Sequence, residues 1–467
     1  MRRSGRLTAF GVLRDARRAL RGGRAAVEAR QRERLAALLQ HARAHSAFYA
    51  ELYAGLPQHP DLGSLPPVTK AQLMGHFDAW VTDPEVTKDA LLRFTARQDT
   101  IGTDFLGRYV VFTTSGSTGE PTLLVQDPRA LAVMNGLAYG RPPYISRRVL
   151  FRMLAKGIRG AAVFASGGHF LTAVMYTRRI RSVPLRRRYV RFFSVLEPVA
   201  QLVEELNAYR PAMLESYASG LEVLAEEQAA GRLRVAPALV ACGGEQLLPA
   251  VRRRIEEVFG CPLLELYSAS EASPLALPCR YGEQHVNADW FILEPIDSAG
   301  RPVPAGVLSN SVLLTNLANF VQPIIRYELG DSVRLGAEPC RCGSPLPTVR
   351  IEGRTDEVLR FEGRAGTVAL LPMALGTVVE ETPGVHRFQV LQTGPDALAV
   401  RVEVLPGHEQ HSVEAEVLAR LRSHLDGQGL PGVGLALDPE PIRVNPKGGK
   451  LRHVLHAPAG PTAAGAT

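Results

Sequence analysis

The apolar positions of the N-terminal segment follow the period of an α-helix. Leu35, Leu38 and Leu39 fall on one helical face, and the same spacing continues on both sides, so the pattern predicts helix over residues 10–55. A Pro-Pro pair then interrupts the chain, and Thr69 is placed to cap the start of a new helix.

The middle of the chain alternates between helix and strand patterns. Amphipathic helices are predicted over 199–230 and 246–259, and short apolar runs occur among them at 212–216 and 238–242. This alternation predicts an α/β fold with a mostly parallel sheet. Residues 286–335 contain several short strands and turns instead, which predicts a β-rich subdomain.

A domain boundary is predicted between residues 352 and 353. The large N-terminal domain, 1–352, begins with a helical arm over 1–60, and a small α+β domain occupies 353–456. Residues 457–467 contain only Ala, Gly, Pro and Thr, which predicts a disordered tail. Within the small domain the pattern predicts, in order, a first strand, a helix over 366–381, strands over 386–393 and 398–404, a helix over 411–425 and a strand over 441–444.

Composition places the chain among ordinary globular proteins. Its 467 residues correspond to two to four folding units at roughly 100–200 residues each. With 46% hydrophobic and 21% charged residues, a mostly disordered chain is excluded. No apolar run approaches the roughly 20 residues of a membrane span, and no signal core follows the basic N-terminus. The five cysteines are too few for a disulfide scaffold, so a reducing cytoplasm is expected.

The net charge of +8 is unevenly distributed. Residues 1–34 carry eleven Arg against Asp15, Glu28 and Glu33, and the rest of the chain is near neutral, which argues against a nucleic-acid partner. The basic N-terminal helix also allows the hypothesis that the protein associates with a membrane surface through this helix. Seven Arg without an acid lie in 178–191; this run is either a solvated face or a surface that attracts a phosphorylated partner.

A loop of small residues follows the β-rich run 109–113. Its sequence is Thr113-Thr-Ser-Gly-Ser-Thr-Gly-Glu-Pro121, in which glycines expose backbone N–H groups and hydroxyls add further donors. Such a loop after a strand is typical of a phosphate cradle. It lacks the Gly-Lys-Ser/Thr of a Walker loop, and a flexible turn is the alternative interpretation.

Five further short motifs carry chemistry that suits a nucleotide. The aromatic ring of Tyr267 can stack on a purine, the carboxylate of Glu271 can hold Mg²⁺, and Asp331 can accept hydrogen bonds from a ribose diol. The motifs are Ala241-Cys-Gly-Gly-Glu245, Tyr267-Ser-Ala-Ser-Glu271, Arg326-Tyr-Glu-Leu-Gly-Asp331, Glu352-Gly-Arg-Thr-Asp-Glu357 and Asn445-Pro-Lys-Gly-Gly-Lys450.

In their order and spacing these motifs resemble the adenylate-forming superfamily. Within it, the chain is most similar to the phenylacetate-CoA ligase, coenzyme F390 synthetase and CapK branch, a likeness strengthened by Ala47-Phe-Tyr49 and Leu65-Pro-Pro-Val-Thr-Lys70. The resemblance covers nearly the whole chain. It implies a large α/β domain with mixed sheets and a β-rich subdomain, followed by a small, mobile C-terminal α+β domain.

The resemblance also implies an activity. A carboxylic acid, aryl or arylacetic in this branch, would react with ATP to form acyl-AMP and pyrophosphate, and the acyl group would pass to CoA. Two alternatives remain open at this stage: transfer to an amine or a carrier protein, and a non-catalytic descendant that binds nucleotide. ATP and Mg²⁺ are the expected cofactors, and a homodimer is possible in this branch.

Each site residue carries over by matching position. Lys450 and Glu271 match the catalytic lysine and the Mg²⁺ carboxylate, and Asp356 matches the hinge of the small domain. Lys447 lies three positions from Lys450, so the lysine assignment has an alternative. The nucleotide-binding residues implied by the resemblance are Thr114, Ser115, Gly116, Ser117, Thr118, Gly119, Gly243, Gly244, Glu245, Tyr267, Ser268, Asp331 and Arg354.

The chain departs from the family pattern at two places. Thr122 replaces the lysine that often follows the loop proline, and Ser268-Ala-Ser270 replaces a Gly-x-Thr segment. His169 lies where relatives build the acyl pocket, with a structural histidine as the alternative interpretation.

The cysteines support a separate hypothesis. Cys279 and His285 lie six residues apart, and Cys340 and Cys342 form a paired turn just before the predicted boundary. Three thiolates and one imidazole form the closed tetrahedral set that structural Zn²⁺ prefers. Four unrelated residues are the alternative. The remaining cysteines, Cys242 and Cys261, are expected in the core.

Overall fold

The computed structural model describes residues 7–114, 122–245, 247–351, 359–363, 366–370, 372–442 and 453–456. It confirms the predicted fold class, a mixed α/β protein in which a large α/β part is followed by a smaller α+β part. The helices are α1 Ala9–Arg21, α2 Gly23–His45, α3 Ala47–Leu52, α4 Lys70–Gly75, α5 Phe77–Trp80, α6 Lys88–Thr95, α7 Pro128–Gly140, α8 Arg147–Ala155, α9 Leu171–Ser182, α10 Val199–Tyr209, α11 Ala218–Ala229, α12 Pro249–Phe259, α13 Pro372–Glu380 and α14 Gln410–Gly427.

The strands are short and occur throughout the chain after α6. They are β1 Val110–Thr114, β2 Thr122–Gln126, β3 Gly160–Phe164, β4 Val190–Ser194, β5 Met213–Ser216, β6 Leu239–Gly243, β7 Leu263–Ala269, β8 Ala272–Pro278, β9 Gln284–Val286, β10 Phe291–Ile296, β11 Ser311–Asn316, β12 Ile324–Glu328, β13 Val333–Leu335, β14 Thr348–Ile351, β15 Leu359–Gly363, β16 Gly366–Leu370, β17 Val385–Gly394, β18 Ala397–Val404, β19 Gly434–Leu437 and β20 Val454–His456.

The N-terminal helical prediction is correct in type but not in continuity. Residues 10–55 form three helices, because the chain turns at Gly22 and Gly23, where Gly23 has φ +72°, and again at the extended residue Ser46, whose side chain caps α3. Glycine is required at Gly22, where a Cβ would lie 2.6 Å from the Cβ of Ala26. Thr69 caps α4 as predicted: its side chain accepts the N–H of Gln72 at 3.3 Å, and the Gln72 side chain accepts the N–H of Thr69 at 2.8 Å.

The largest sheet of the described residues has nine strands in the order β13-β14-β9-β8-β7-β6-β5-β3-β4. The five strands from β4 to β7 run parallel, as the alternating pattern predicts, and the other four pair antiparallel. The sheet is therefore mixed rather than mostly parallel. Its parallel half packs against α10, α11 and α12 around a core that includes Leu206, Leu221 and Val240.

Two smaller sheets lie beside the large one. Strands β1 and β2 form an antiparallel hairpin in which Thr114 pairs with Thr122, so the small-residue loop 115–121 connects two strands rather than a strand and a helix. Strands β10, β11 and β12 form the β-rich region that the sequence predicts. The hairpin, the three strands and α1 to α7 share one hydrophobic core.

The C-terminal part has its own core of buried Leu and Val around Phe361 and Phe388. Residues 366–370, predicted as the start of a helix, form β16 and pair with β15, because the run Gly-Thr-Val-Ala-Leu is rich in β-branched residues; the helix begins only at Pro372. The predicted strand 441–444 is not found at 441–442; β19 lies earlier instead. The predicted boundary at 352/353 falls in 352–358 and the predicted tail is 457–467, both outside the described residues.

Candidate active site and metal centre

Two of the predicted nucleotide-site residues are in direct contact. The hydroxyl of Tyr267, on β7, donates to Oδ2 of Asp331 at 2.9 Å, although 64 positions separate the two residues. Burial, reinforced by the charge of Asp331, raises the pKa of Tyr267 well above its usual value, so the tyrosine stays protonated. The contact orients the Asp331 carboxylate at the end of the sheet.

Glu271 is a buried carboxylate beside this pair. Its side chain is 7% exposed, the hydroxyl of Tyr327 lies 3.4 Å from Oε1, and its backbone carbonyl accepts from Asn316 at 2.7 Å. Burial raises the pKa of Glu271, and the charge of Asp331 adds to the rise, while the positive charge of Lys70 opposes it. Two carboxylates, each hydrogen-bonded to a tyrosine, therefore lie close together, and carboxylate oxygens are ligands that suit a hard cation.

Lys70 and Tyr327 are site residues that the motif assignment missed. The N-terminal segment reaches the sheet through a parallel bridge in which Val68 pairs with Tyr327. Arg326 anchors the same segment, since its guanidinium donates to the carbonyl of Gly63 at 3.2 Å and to that of Leu65, and it forms an ion pair with Glu294 at 3.1 Å. The rarity of lysine in this arginine-rich chain is the one sequence signal that could have singled out Lys70.

The Gly243-Gly244-Glu245 motif lies at the carboxyl end of β6. Gly244 has φ +84°, and a Cβ there would lie 3.1 Å from the ring of Tyr217, so both backbone and space require glycine. The Glu245 carboxylate accepts from the N–H of Ser219 at 2.8 Å and from its hydroxyl at 3.0 Å, at the first turn of α11. This helix-end contact fixes Glu245 in place.

The flanks of the predicted phosphate loop are ordered around a histidine. Thr113 donates its N–H to the carbonyl of His169 at 2.8 Å, and the His169 ring lies 3.1 Å from the hydroxyl of Thr100. His169 is 2% exposed, and burial lowers its pKa, so the ring is neutral. Thr122, which stands where relatives often have lysine, is buried at the other end of the loop.

Several predicted site residues lie outside the part of the chain that the structure describes. Their roles stay predictions that rest on the resemblance. They are Ser115, Gly116, Ser117, Thr118, Gly119, Arg354, Asp356, Lys447 and Lys450. Thr114 ends β1, and Ser268 lies on β7, 3.3 Å from the hydroxyl of Ser273.

The predicted metal-ligating residues come together. One donor atom from each of Cys279, His285, Cys340 and Cys342 lies within 4.8 Å of all the others. The sulfur atoms of Cys279 and Cys340 are 3.9 Å apart, and Cys342 Sγ is 3.3 Å from His285 Nε2. Zn–S bonds of about 2.3 Å at tetrahedral angles place two sulfurs about 3.8 Å apart, so these separations match the edges of a zinc tetrahedron.

The surroundings of this cluster also suit a metal. His285 Nδ1 lies 2.9 Å from the carbonyl of Leu346, a contact that fixes Nδ1 as the protonated nitrogen and leaves Nε2 as a ligand. The N–H of Tyr281 donates to Cys279 Sγ at 3.4 Å, and that of Ser344 to Cys342 Sγ at 3.3 Å. Burial raises the pKa of Cys279, but the hydrogen bonds it accepts outweigh burial and lower it overall. The hydrogen bond from Ser344 likewise favours the thiolate of Cys342, but burial and the neighbouring thiols raise the pKa of Cys342 to about 11.

The other two cysteines are core residues, as predicted. Cys242 and Cys261 are both buried, and burial raises the pKa of each thiol, that of Cys261 to about 11. Neither belongs to the cluster of possible metal ligands among the described residues.

Comparison with solved structures identifies the fold of the chain. A crystal structure of 2-hydroxyisobutyryl-CoA ligase, in an open conformation with 2-HIB-AMP and CoA, aligns with a TM-score of 0.52 and 21% identity over 92% of this chain and 91% of that one. The same ligase in its thioesterification state aligns with a TM-score of 0.53 and 21% identity, over 91% and 88%. The chain has the fold of the adenylate-forming ligases. The family resemblance inferred from the motifs is thereby confirmed at the level of the fold.

The sequence comparisons are more limited. Protein CapK of Staphylococcus aureus is 22% identical over 261 residues, which are 55% of this chain and 54% of CapK, so the match spans about half of that relative. No family profile matches the chain. None of the helices in the described residues is both long enough and apolar enough to cross a membrane.

Proposed function

We propose that this adenylate-forming fold activates a carboxylic acid with ATP and transfers the acyl group to CoA. The observation that carries the proposal is the convergence of Tyr267, Glu271 and Asp331 in one buried space, within a fold that aligns with a CoA ligase over nine-tenths of both chains. That ligase holds an acyl-adenylate and CoA. An aryl or arylacetic acid is the proposed substrate class, on the resemblance alone.

The proposed reaction has two steps. A carboxylate oxygen attacks the α-phosphorus of ATP, the bond from that phosphorus to the pyrophosphate oxygen breaks, and pyrophosphate leaves. The sulfur of CoA then attacks the acyl carbon, AMP leaves, and the thiol proton passes to solvent. The attacking carboxylate is already ionised at neutral pH, so positioning and charge neutralisation, rather than a general base, must lower the barrier.

The chain's own residues suit these tasks. Asp331, oriented by the Tyr267 hydroxyl, would accept hydrogen bonds from the ribose, and the hydroxyls of the 114–119 loop would hold the phosphates. Glu271 fits Mg²⁺, because a buried carboxylate with a raised pKa beside a second carboxylate lacks a full counter-charge. When bound, Mg²⁺ would neutralise phosphate charge. We place Lys450 on the transferring carboxylate and the α-phosphate, Arg354 on the nucleotide, and Asp356 at the hinge.

The decisive experiment is acid-dependent exchange of labelled pyrophosphate into ATP, measured across a panel of aryl, arylacetic and short hydroxy acids. Exchange with at least one acid is expected, followed by thioester formation when CoA is added. Product analysis with CoA, an amine or a carrier protein identifies the acceptor. Nucleotide binding without exchange for any acid would favour a non-catalytic descendant and would refute the proposal.

We further propose that Cys279, His285, Cys340 and Cys342 hold a structural Zn²⁺. Four protein ligands leave no open position, so the ion would act by tying the β8–β9 turn to the loop between β13 and β14. Cys279 lies in the β8–β9 turn and His285 on β9, whereas Cys340 and Cys342 both lie in the loop between β13 and β14. Strands β9 and β14 pair with one another, with Thr348 opposite His285.

The zinc proposal is tested by metal analysis and by stability. About one Zn²⁺ per chain is expected in purified protein, and the double variant Cys340→Ser/Cys342→Ser should lose the metal and unfold at a lower temperature. The matched control is Cys261→Ser, which removes a thiol that lies outside the cluster and should keep the metal. Less than about 0.3 equivalents in metal-supplemented native protein would remove zinc from the account.

A further inference from the structure

A long stretch of the large α/β part contains no acidic residue. From residue 128 to residue 196 the chain has thirteen Arg and one Lys but no Asp or Glu. Some of these cations are paired elsewhere: Arg141 with buried Asp289, and Arg178 with Asp104. Others, including Arg147, Arg148, Arg187 and Arg188, are exposed. The Arg run noted in the sequence is therefore one part of a larger basic surface.

Helix α8 belongs to this stretch and exposes three large apolar side chains. Only Val149 of its nine residues is buried, whereas Leu150, Phe151 and Leu154 are 50%, 69% and 49% exposed. These three side chains share one helical face, and that face points to solvent. A surface helix of a globular protein normally turns its apolar face toward the core.

Of the four cationic side chains on α8 and at its C-cap, Arg147 and Arg148 are exposed with the apolar residues, and the other two lie on the opposite side of the helix. Arg152 and Lys156 are partly buried, and their charges act on the thiol of Cys261 beneath the helix. The side of α8 that contacts the protein therefore carries Val149 together with Arg152 and Lys156, and three large apolar side chains are left exposed. Exposed apolar surface of this kind marks an interaction site.

Further exposed apolar residues lie on the two segments that precede β3 and β4. After α8, Ile158 is 49% exposed, and the N–H of Gly160 donates to the carbonyl of Tyr189 at 2.7 Å. Tyr189 is 44% exposed and Leu185, in the short 3-10 helix Pro184–Arg188, is 59% exposed. We call the exposed residues Leu150, Phe151, Leu154, Ile158, Leu185 and Tyr189 the α8 patch.

The α8 patch lies at the amino ends of β3 and β4. The two segments that carry it lead directly into these strands, which pair in parallel with Gly160 opposite Val190. The candidate nucleotide site uses the opposite edge, where β6 ends at Gly243. A partner on the α8 patch therefore leaves the nucleotide cleft free.

We propose that the α8 patch docks on an anionic lipid surface. An apolar helical face framed by arginines is the composition of helices that lie in the bilayer interface, about 5–10 Å deep. A second copy of the chain is disfavoured, since a two-fold contact would bring the exposed arginines of both copies together. The apolar side chains project from a convex helix rather than line a groove, and a fluid bilayer accommodates such a shape without a matching pocket.

Vesicle sedimentation of the full chain tests the proposal. Binding is expected to vesicles of phosphatidylcholine with about one quarter phosphatidylglycerol, and not to pure phosphatidylcholine, and raising the salt from about 0.1 M to about 0.5 M should weaken it. Phe151→Ser/Leu154→Ser and Arg187→Glu/Arg188→Glu should each lower the partition coefficient by about tenfold or more. Val307→Ser/Leu308→Ser, which alters equally exposed apolar residues elsewhere, should bind like the native protein.

A fluorescent probe placed in the α8 patch reports its contact with lipid directly, without a measured binding constant. The chain has two tryptophans, Trp80 and Trp290, and both are buried, so Phe151→Trp adds an exposed reporter. Its emission should shift to shorter wavelength when phosphatidylglycerol vesicles are added. An unshifted emission with bound vesicles, or unchanged binding by Phe151→Ser/Leu154→Ser, would assign binding to another basic segment and overturn the proposal.

The other occupants give different results. A native dimer that Phe151→Ser/Leu154→Ser dissociates in sedimentation equilibrium would show that a second copy covers the patch. Failure of the native chain to bind phosphatidylglycerol vesicles at about 0.1 M salt would leave an acidic protein as the occupant. Either result would refute lipid docking. The outcome does not depend on pyrophosphate exchange, so this proposal and the proposed function can fail separately.

Discussion

Replacing Glu271 with Gln separates the two effects of this buried carboxylate. The substitution keeps the size and shape of the side chain, and the amide oxygen can still accept from the hydroxyl of Tyr327, 3.4 Å from the present Oε1. It removes only the negative charge. If that charge serves ATP-bound Mg²⁺, as proposed, kcat/KM should fall without any loss of folding stability.

The expected catalytic loss follows from the task assigned to the carboxylate. An electrostatic group acting on the charge that develops in the transition state contributes about 3 kcal/mol. The kcat/KM for acid-dependent pyrophosphate exchange should therefore fall about 100-fold or more. Glu257→Gln is the matched control: it removes an exposed carboxylate from α12 and should leave exchange unchanged.

The expected effect on stability has the opposite sign. Burial raises the pKa of Glu271 in the folded chain above its unfolded value, so the ionised side chain opposes folding. This cost is absent below the unfolded pKa, about 4.3, and appears as the pH rises through the folded pKa. Without nucleotide, Glu271→Gln should thus be more stable than the native chain at pH 7–8, by about 1 kcal/mol, and the difference should vanish near pH 4.

Chemical unfolding at pH 7–8 and near pH 4 measures the effect on stability, and pyrophosphate exchange rates measure the effect on catalysis. Full exchange activity in Glu271→Gln would refute the role assigned to the carboxylate. A variant that is less stable at pH 7–8, by several kcal/mol, would show that the charge is compensated in the folded chain, for example by Lys70, and that its role is structural.

Two further substitutions test single residues. Lys450→Ala should abolish acid-dependent exchange but retain thioester formation from supplied acyl-AMP, whereas Lys447→Ala should retain both; the reverse pattern would move the catalytic assignment to Lys447. Gly244→Ala should destabilise the chain by about 1–3 kcal/mol, because φ is +84° and the new Cβ would lie 3.1 Å from Tyr217. Gly231→Ala, at φ +75° with no atom within 4 Å of the new Cβ, measures the backbone cost alone, and an equal loss in both variants would exclude any crowding by Tyr217.

The elements that the sequence predicts correctly are those encoded by neighbouring residues. The Thr69 cap and the alternation of strand and helix around β5 and β6 depend on short patterns, and both are confirmed. The prediction of helix over 10–55 was wrong in continuity, because local breaks at Gly22 and Ser46 interrupt a regular apolar spacing. The strand at 366–370 was missed because a short apolar run before a helix has no period that separates strand from helix.

The candidate site could be predicted only in part. Motifs brought Tyr267, Glu271 and Asp331 into one hypothesis, and the structure does bring them together. Their partners Lys70 and Tyr327 depend on a bridge between residues 68 and 327, and no local pattern encodes a contact of that range. The four possible zinc ligands were predictable because cysteine is scarce in this chain and each pair is close in sequence.

The basic N-terminal segment shows how charge counting alone misleads. Its eleven arginines look like a solvated arm, yet Arg34 donates to the carbonyl of Asp289 at 2.6 Å, and the fully buried Asp289 also pairs with Arg141 at 2.6 Å. On the same helix pair, Asp15 joins Arg30 at 2.9 Å. Deleting residues 1–34 would remove Arg34 and leave Arg141 as the only one of these two arginines beside Asp289. It would also expose α7, which packs so closely on α1 that a Cβ at Gly136 would lie 2.5 Å from the Cβ of Val12. Residues 7–34 therefore pack into the folded core, and lipid binding must be tested with surface substitutions rather than with that deletion.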